Sequence, residues 1–300
     1  MNSQSKQSKE RGAAILITLV VVTLASVMGL AMIEQSQESV ARTQALMDRS
    51  TVDRLSDGMV LLAKRNLAEW QANGNQLPAG IDLSDWTPPY QVPGGVVQGR
   101  LIDLSGRFNL NALLHPEPDQ RLFAQQVLER LLISLNLNQR LAVEIAAWLQ
   151  RPRTEGSVGR LPLIHISELI EMPGMDRQSL EVLSPWVSVL PTPELLVNVN
   201  QTTPRVLASL IGSLTLTGAQ QLLSDAPFER IEDLWAHPVW AGIETTVKKR
   251  AATTTQSDWY LAQTRVSLDR DGELISHDVF RLISATGSGY DFRYVSQGQP

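Results

Sequence analysis

Residues 11–34 read RGAAILITLVVVTLASVMGLAMIE. From Ala13 to Ile33 there are 21 residues without a charge, behind a leader of 12 residues that carries Lys6, Lys9, Glu10 and Arg11. As a helix this run is about 31 Å long, the thickness of a bilayer's hydrocarbon core. A secretory signal has an apolar core of roughly 7 to 15 residues, closed by a small-x-small cleavage site. This run is longer, and Glu34-Gln35-Ser36-Gln37-Glu38 follows it directly. A retained membrane helix over 13–33 is expected. Lys6, Lys9 and Arg11 would keep the amino terminus in the cytoplasm and place the rest of the chain outside.

Outward from that run, no proline occurs from Glu34 to Ala72, and Gly58 alone interrupts good helix formers. Val52, Leu55, Met59 and Leu62 follow one another at helical spacing, on one face of a 3.6-residue helix. Val40 and Met47 extend the stripe upstream. Asn73-Gly74-Asn75 and then Pro78 end it. The expectation is a single helix over 13–72, apolar over 13–33 and amphipathic afterwards. Its stripe of Val40, Met47, Val52, Leu55, Met59 and Leu62 is the candidate surface for partner helices, and part of it must also cover the head's own sheet.

Composition sets the outer bounds. The chain of 300 residues has 26 basic and 31 acidic side chains and no cysteine. A disulfide framework, a thiolate nucleophile and a cysteine-ligated zinc site are therefore excluded. Without its first 12 residues the chain keeps 23 basic and 30 acidic residues, a net charge of −7. That balance does not suit a broad phosphate-binding face.

Residues 119–150 carry a helical pattern through Leu122, Val127, Leu131, Ala142, Ile145 and Leu149. An internal repeat follows. Ser134-Leu135-Asn136-Leu137-Asn138 echoes Ser213-Leu214-Thr215-Leu216-Thr217, and Ile166-Ser167-Glu168-Leu169 echoes Ile231-Glu232-Asp233-Leu234. Two copies of a small helical unit are the simplest explanation, with Ser167 or a polar neighbour as cap. From Asp258 the pattern alternates through Tyr260, Ala262, Thr264, Val266 and Leu268. Asp271-Gly272 then marks the turn of an antiparallel hairpin. Strands are expected over 92–104 and 258–296.

Few motifs of chemistry are present. His115, His165, His237 and His277 stand apart from any zinc-helix spacing, and turn or surface roles are expected for them. There is no Gly-x-Ser-x-Gly and no phosphate-cradling glycine loop. Asp269, Asp271 and Glu273 lack the remaining ligands of an EF-hand loop, so a hairpin turn is the better reading. Glu171-Met172-Pro173-Gly174-Met175 looks like the turn of a helix-hairpin-helix. Its neighbours Glu168, Glu171, Asp176 and Glu181 outnumber Arg177, which argues against DNA. No catalytic residue, cofactor or nucleic acid is expected.

Arg11-Gly12 followed at once by an apolar helix resembles the processing site of type IV prepilins and type II secretion pseudopilins. The resemblance implies cleavage by prepilin peptidase after Gly12, with Ala13 as the new, methylated amino terminus. Most such proteins have glutamate at the fifth mature position, where this chain has Ile17. That lack is known in the general secretion pathway protein K family of minor pseudopilins. VVQGRLIDLSGRFNLNALL over 96–114, HISELIEMPGM over 165–175 and LLVNVNQTTPRVLASLIG over 195–212 are similar to that family as well.

The resemblance implies an α+β, pilin-like fold, with a long N-terminal helix packed on a small antiparallel sheet and a large inserted all-helical domain. The expected parts are a cleaved leader at 1–12, the long helix at 13–72, a β region at 73–112 and 256–300, and a helical insertion with two related subdomains at 113–255. It further implies a non-enzymatic subunit at the tip of a periplasmic type II secretion pseudopilus, single-pass in the bacterial inner membrane with its head in the periplasm. Its partners would be I- and J-type minor pseudopilins, the major pseudopilin, prepilin peptidase, and the secretin or secreted cargo. Some relatives bind calcium after the tryptophan matching Trp148. Arg151, Arg153 and a lone Glu155 do not supply calcium's six to eight oxygens, and no metal is expected. The alternatives are a minor pilin of a type IV pilus and an anchored periplasmic helix-hairpin-helix DNA-binding protein.

Overall fold

The computed structural model describes residues 3–72, 82–151, 162–243, 252–270, 272–285 and 292–295. Side chains of 1–18, 20–22, 25, 71, 72 and 292–295 lie outside that description. Two compact units are distinguished, Met1–Asp57 and Gly58–Pro300. The first is helical. Helix α1 spans Ser3–Ala72, so helical backbone begins within the leader, earlier than the expected residue 13; the expected stop at Asn73-Gly74-Asn75 lies outside the described residues.

The second unit holds an antiparallel five-stranded sheet built from β1 (Tyr90–Val92), β2 (Gly95–Asp103), β7 (Trp259–Arg270), β8 (Glu273–Ser284) and β9 (Phe292–Val295), in the order β1-β2-β7-β8-β9. β2 and β7 pair from Gly95↔Leu268 to Asp103↔Tyr260, although the residues between them make up most of the head. β7 and β8 form the expected hairpin, with Gly272 at φ +87°, a left-handed conformation that a glycine takes at little cost. The turn residue Asp271 lies outside the described residues. One sheet face packs Leu101, Tyr260, Ala262 and Ile283 on Val60 and Leu67 of α1, with Ala63 and Trp70 beside them. Gly99 permits the approach, because a Cβ there would lie 2.6 Å from the Met59 methyl.

Between β2 and β7 the chain forms two successive helical modules. The first opens with β3 (Phe108–Asn109) and a 3-10 turn, Leu110–Leu114. It continues through α2 (Pro118–Ser134), α3 (Arg140–Leu149), a second 3-10 turn at Ile166–Glu171 and α4 (Arg177–Leu183), and closes with β4 (Val187–Ser188). The second runs β5 (Val197–Asn198), α5 (Pro204–Ile211), α6 (Leu216–Ser224), α7 (Ile231–Ala236), a 3-10 turn at Pro238–Trp240 and β6 (Thr253–Thr254). In each module the opening and closing strands pair in parallel. Helix starts follow ordinary chemistry. Pro118 and Pro204 sit in the first helical turn, and Thr203, Thr215 and Asp176 accept backbone N–H groups from Val206, Gly218 and Ser179.

The two modules are closed by the same device. In Asn109-Leu110-Asn111, the Asn109 Oδ1 accepts the Asn111 N–H at 3.1 Å. The buried Asn111 amide then accepts from Leu163 N at 2.8 Å and donates to Leu163 O at 3.0 Å and Leu190 O at 2.8 Å. In Asn198-Val199-Asn200, Asn198 Oδ1 accepts the Asn200 N–H at 2.9 Å. Asn200 accepts from Phe228 N at 2.8 Å and donates to Phe228 O at 2.9 Å and Thr255 O at 3.2 Å. One apolar core runs through both modules, with Leu128, Leu131, Ile145, Leu169, Leu183, Leu207 and Leu210 all fully buried. Each such side chain contributes about 1.5–3 kcal/mol of burial.

Candidate assembly site

Apolar side chains along α1 face solvent over much of its length. Leu19, Leu24, Val27, Met28 and Met32 are each more than 60 % exposed. A soluble surface does not leave that much contiguous apolar area uncovered. Among the described residues no single helix is long and apolar enough to cross a membrane, and much of 13–25 is outside the described side chains.

The expected partner stripe divides. Val40, Met47 and Leu62 are exposed. Leu55 and Met59 are half-buried, and Val52 is buried at 5 % within its own chain. The buried row on this helix is Val52, Ser56, Val60 and Leu67. Two neighbouring rows share Val52 at helical spacing, and the inward one passes through the small residues Ser56 and Ala63, which carry little apolar signal. Gly12, Ala13 and Ile17 lie in the α1 backbone, and their side chains are outside the described set.

Beside the carboxyl-terminal turns of α1, a groove of about 440 Å³ is lined by Met59, Leu62, Trp70, Leu83, Trp86 and Arg100. Two guanidinium groups lie over the Trp86 ring, Arg100 at 4.8 Å and Arg265 at 4.6 Å from its centre. Arg265 donates twice to Asp278, at 2.7 and 2.8 Å, and Arg100 donates to Gln263 at 2.7 Å. The paired Arg265 hydrogen bonds hold the Asp278 carboxyl below its ordinary range.

Where the modules meet the sheet, a polar joint forms. Asp103 accepts from Ser105 N at 2.8 Å and from the Ser257 hydroxyl, which itself accepts from Asn198 Nδ2 at 2.5 Å. The Ser105 hydroxyl oxygen accepts Asp258 N and Trp259 N, each at 3.1 Å. Burial raises the Asp103 carboxyl above its ordinary value, against the pull of those hydrogen bonds. Burial, and then the nearby Asp103 charge, push the Tyr260 phenol up to about 12. Beside the joint, Gly106 touches the second module so closely that a Cβ would lie 2.2 Å from Gln201 O. Leu104, Leu190 and Leu282 seal this side of the sheet.

Three histidines sit at turns, where turn or surface roles were expected, and each caps its turn through the ring. His115 Nδ1 accepts Glu117 N at 3.1 Å, His165 Nδ1 accepts Ser167 N at 3.2 Å, and His237 Nδ1 accepts Val239 N at 3.1 Å. Glu168 completes a capping box at His165 by accepting the His165 N–H at 2.8 Å. The His115 and His237 side chains are nearly buried, at 10 % and 11 % exposed, so of the expected turn or surface roles they take the turn role. A signal was available: His-Pro at 115 and 237, and His-x-x-Glu at 165–168, each just before a helical turn.

The helix-hairpin-helix-like segment forms a 3-10 turn, a left-handed Gly174 at φ +94° and helix α4. The calcium-loop position falls largely outside the described residues, which include Trp148 and Arg151 and exclude Arg153 and Glu155. Among the described residues no three His, Cys, Asp or Glu side chains are grouped to hold a metal ion. Asp269 instead accepts the Gly272 N–H at 2.9 Å within the hairpin.

Residues 106–192 and 197–255 each match the family described as type II secretion system protein K. Curated relatives named type II secretion system protein K include one from Klebsiella pneumoniae, 28 % identical over 72 % of this chain and 74 % of that one. Another, from Dickeya chrysanthemi, is 22 % identical over 91 % of this chain and 93 % of that one. Among solved structures, a chain of the GspK-GspI-GspJ complex of the enterotoxigenic Escherichia coli type 2 secretion system matches with a TM-score of 0.69 and 21 % identity. That match covers 86 % of this chain and all of the other, and it establishes the shared fold.

Proposed function

We propose that the chain, which matches the type II secretion system protein K family over residues 106–192 and 197–255, caps the tip of the periplasmic pseudopilus as an assembly subunit without chemistry of its own. As a minor pseudopilin of that system, it works by burying surface. The observation that carries the reading is α1, which joins an apolar segment at 13–33 to turns that pack on the sheet through Val60 and Leu67.

In the membrane, the apolar segment is solvated by lipid, and the chain is a single-pass inner-membrane protein with its head in the periplasm. Prepilin peptidase removes the leader between Gly12 and Ala13. Extraction into the filament replaces lipid with the apolar helices of neighbours, at little net cost because both surroundings are dry. Ile17 supports the tip position. An unpaired amine in an apolar core is costly, and a subunit without the acid has no means to neutralise a preceding neighbour's amine. Val40, Met47 and Leu62 supply exposed contacts for I- and J-type minor pseudopilins, with the half-buried Leu55 and Met59 at their edge. The major pseudopilin would follow below, and the helical modules would meet the secretin or cargo.

The test is the mass of the mature amino-terminal peptide, from cells with and without prepilin peptidase. A peptide beginning at Ala13 only in the presence of the enzyme is expected. An intact Met1 terminus in both would overturn the pseudopilin reading.

A further inference from the structure

The groove beside the carboxyl-terminal turns of α1 is lined by residues of the second unit. One wall is a helical row, Met59, Leu62, Asn66 and Trp70, in which each residue follows the last by three or four positions. The facing wall is the chain at 82–88, which hems β2 beyond its pairing with β1. There Leu101 N donates to Leu83 O and Thr87 N donates to Gly99 O, each at 2.8 Å, and Gly99 N donates to Thr87 Oγ1 at 3.0 Å. Leu101 and Ala262 line the groove from the sheet. Both walls are therefore fixed by the fold before anything binds, which spares a ligand the cost of ordering them.

The dimensions fit a short stretch of chain. From Met59 to Trp70 the helix rises about 16 Å, the length of about five residues in extended conformation. The volume, about 440 Å³, is in the range of pockets that bury a small ligand. Leu62 is 40 % exposed, and Met59, Trp70 and Leu83 are half-buried, so apolar surface remains to be covered.

Charge selects the occupant. Among the described lining residues, two exposed carboxylates, Asp82 and Asp85, stand against one cation, Arg100. Arg100 is engaged elsewhere, donating to Gln263 and lying over Trp86. Asp82 Oδ1 accepts both the Ser84 hydroxyl and the Ser84 N–H at 2.8 Å, and these bonds hold its carboxyl below the usual range and charged at neutral pH. Leu83 and Trp70 pack on the same cluster, so Asp82 lies toward the Trp70 end, where an indole face also attracts a cation. A second copy of this chain, with 31 acidic and 26 basic side chains, brings the wrong sign on balance.

We propose that this groove docks an extended segment of a different protein, apolar where it lies along Met59, Leu62 and Leu83 and ending in a lysine or arginine beside Asp82 and Asp85. Apolar burial supplies the affinity, and the two carboxylates set the direction of the segment and reject acidic ends. The surface belongs to the head and holds whether or not the subunit sits at a filament tip.

The experiment uses the full chain in lipid nanodiscs and dye-labelled five-residue peptides with leucine at the first position, photoleucine at the third, serine between and after them, and lysine, glutamine or glutamate at the fifth. Anisotropy gives the affinities, and photocross-linking with mass spectrometry gives the location. The lysine peptide should bind about fivefold or more tighter than the glutamate peptide at low salt, a gap that should close near about 1 M salt. Its cross-links should fall on 59–70 and 82–88. In the double variant Asp82→Asn, Asp85→Asn, position 82 keeps an acceptor for Ser84 N, and the preference for lysine should vanish. Met59→Gln should weaken all three peptides by about threefold or more. No binding, equal affinity for the lysine and glutamate peptides, cross-links elsewhere, or a lysine preference that survives in the asparagine variant would each overturn the proposal. So would a concentration-dependent dimer that the asparagine variant abolishes, since that would give the groove to a second copy.

Discussion

Replacing Asn111 by aspartate changes no volume, yet it should cost the head much of its stability. The Asn111 Nδ2 group donates to Leu190 O at 2.8 Å and Leu163 O at 3.0 Å, with the side chain almost wholly buried. Aspartate keeps the acceptor for Leu163 N but sets an oxygen against both carbonyls. Two hydrogen bonds are lost and two buried acceptors go unsatisfied, at about 1–3 kcal/mol each. The sum is about 2–6 kcal/mol, against a total of roughly 5–15 kcal/mol for a domain. A protonated aspartic acid can restore one donor, so the loss should shrink as pH falls toward 4. Urea unfolding followed by both far-ultraviolet circular dichroism and tryptophan fluorescence would read it. Asn200→Asp is the internal control, because Asn200 is only half-buried and its donor bonds are longer, at 2.9 and 3.2 Å. It should cost about half as much. A loss below about 1 kcal/mol at Asn111 would show that the Asn-x-Asn clamp does not close its module, and equal losses at the two sites would show that the difference in burial does not set the cost.

Gly106→Ala should destabilise by about 1–3 kcal/mol, since its Cβ would meet main-chain atoms of Gln201 and Thr202; a thermal shift within error would refute the tight seam. Asp103 is raised by burial, so its folded form favours the proton. That contribution to stability is present below the unfolded value near 3.9 and is lost as pH rises through the folded value. Asp103→Asn should lack that fall, as measured by urea midpoints from about pH 3.5 to about pH 7. Met47→Glu or Leu62→Glu should change stability by less than about 0.5 kcal/mol and sharply reduce co-purification with minor pseudopilins; unchanged co-purification would clear that stripe of the role. Ile17→Glu should move the subunit away from the tip or slow initiation of the pseudopilus, as scored by cross-linking in cells. An unaltered position would mean that the missing acid is not the determinant.

How much of this was legible in the sequence depends on the range of the interaction. The α1 pattern and the Asp-Gly hairpin are local; the hairpin was readable to within a few residues, whereas α1 starts at Ser3, well before the expected residue 13. The strand at Gly95–Asp103 and the helix Arg140–Leu149 fell inside the expected ranges for the same reason, and the helix Pro118–Ser134 began one residue before its range. The face of α1 that turns inward was not readable, because Ser56 and Ala63 lie on it and more apolar residues lie on the next row. The clamps were not readable either. Asn111 finds Leu163 and Asn200 finds Phe228 across 52 and 28 residues of chain, and no local rule names such a partner. The echoing asparagine pairs were visible; their bond lists were not. Turn or surface roles were expected for the histidines, but the ring as the capping group was not, although His-x-x-Glu at 165–168 had the spacing of a capping box.

The pairing of β2 with β7 also bears on the order in which the chain folds. Arg100 and Gln263 are bonded neighbours separated by 163 residues, so the central ladder of the sheet closes a very long loop. For a flexible chain, closing a loop of that length costs about 3 kcal/mol more than closing a four-residue turn. Modules that fold first bring Leu104 and Trp259 within one hydrogen bond, at 3.0 Å, and remove most of that cost. The β7–β8 hairpin is local and forms early, but its inner edge stays bare until the modules deliver β2. A newly exported chain therefore passes through a state with an unpaired strand edge. The lifetime of that state, set by how fast the helical modules fold, governs how exposed the subunit is to aggregation before it reaches a filament.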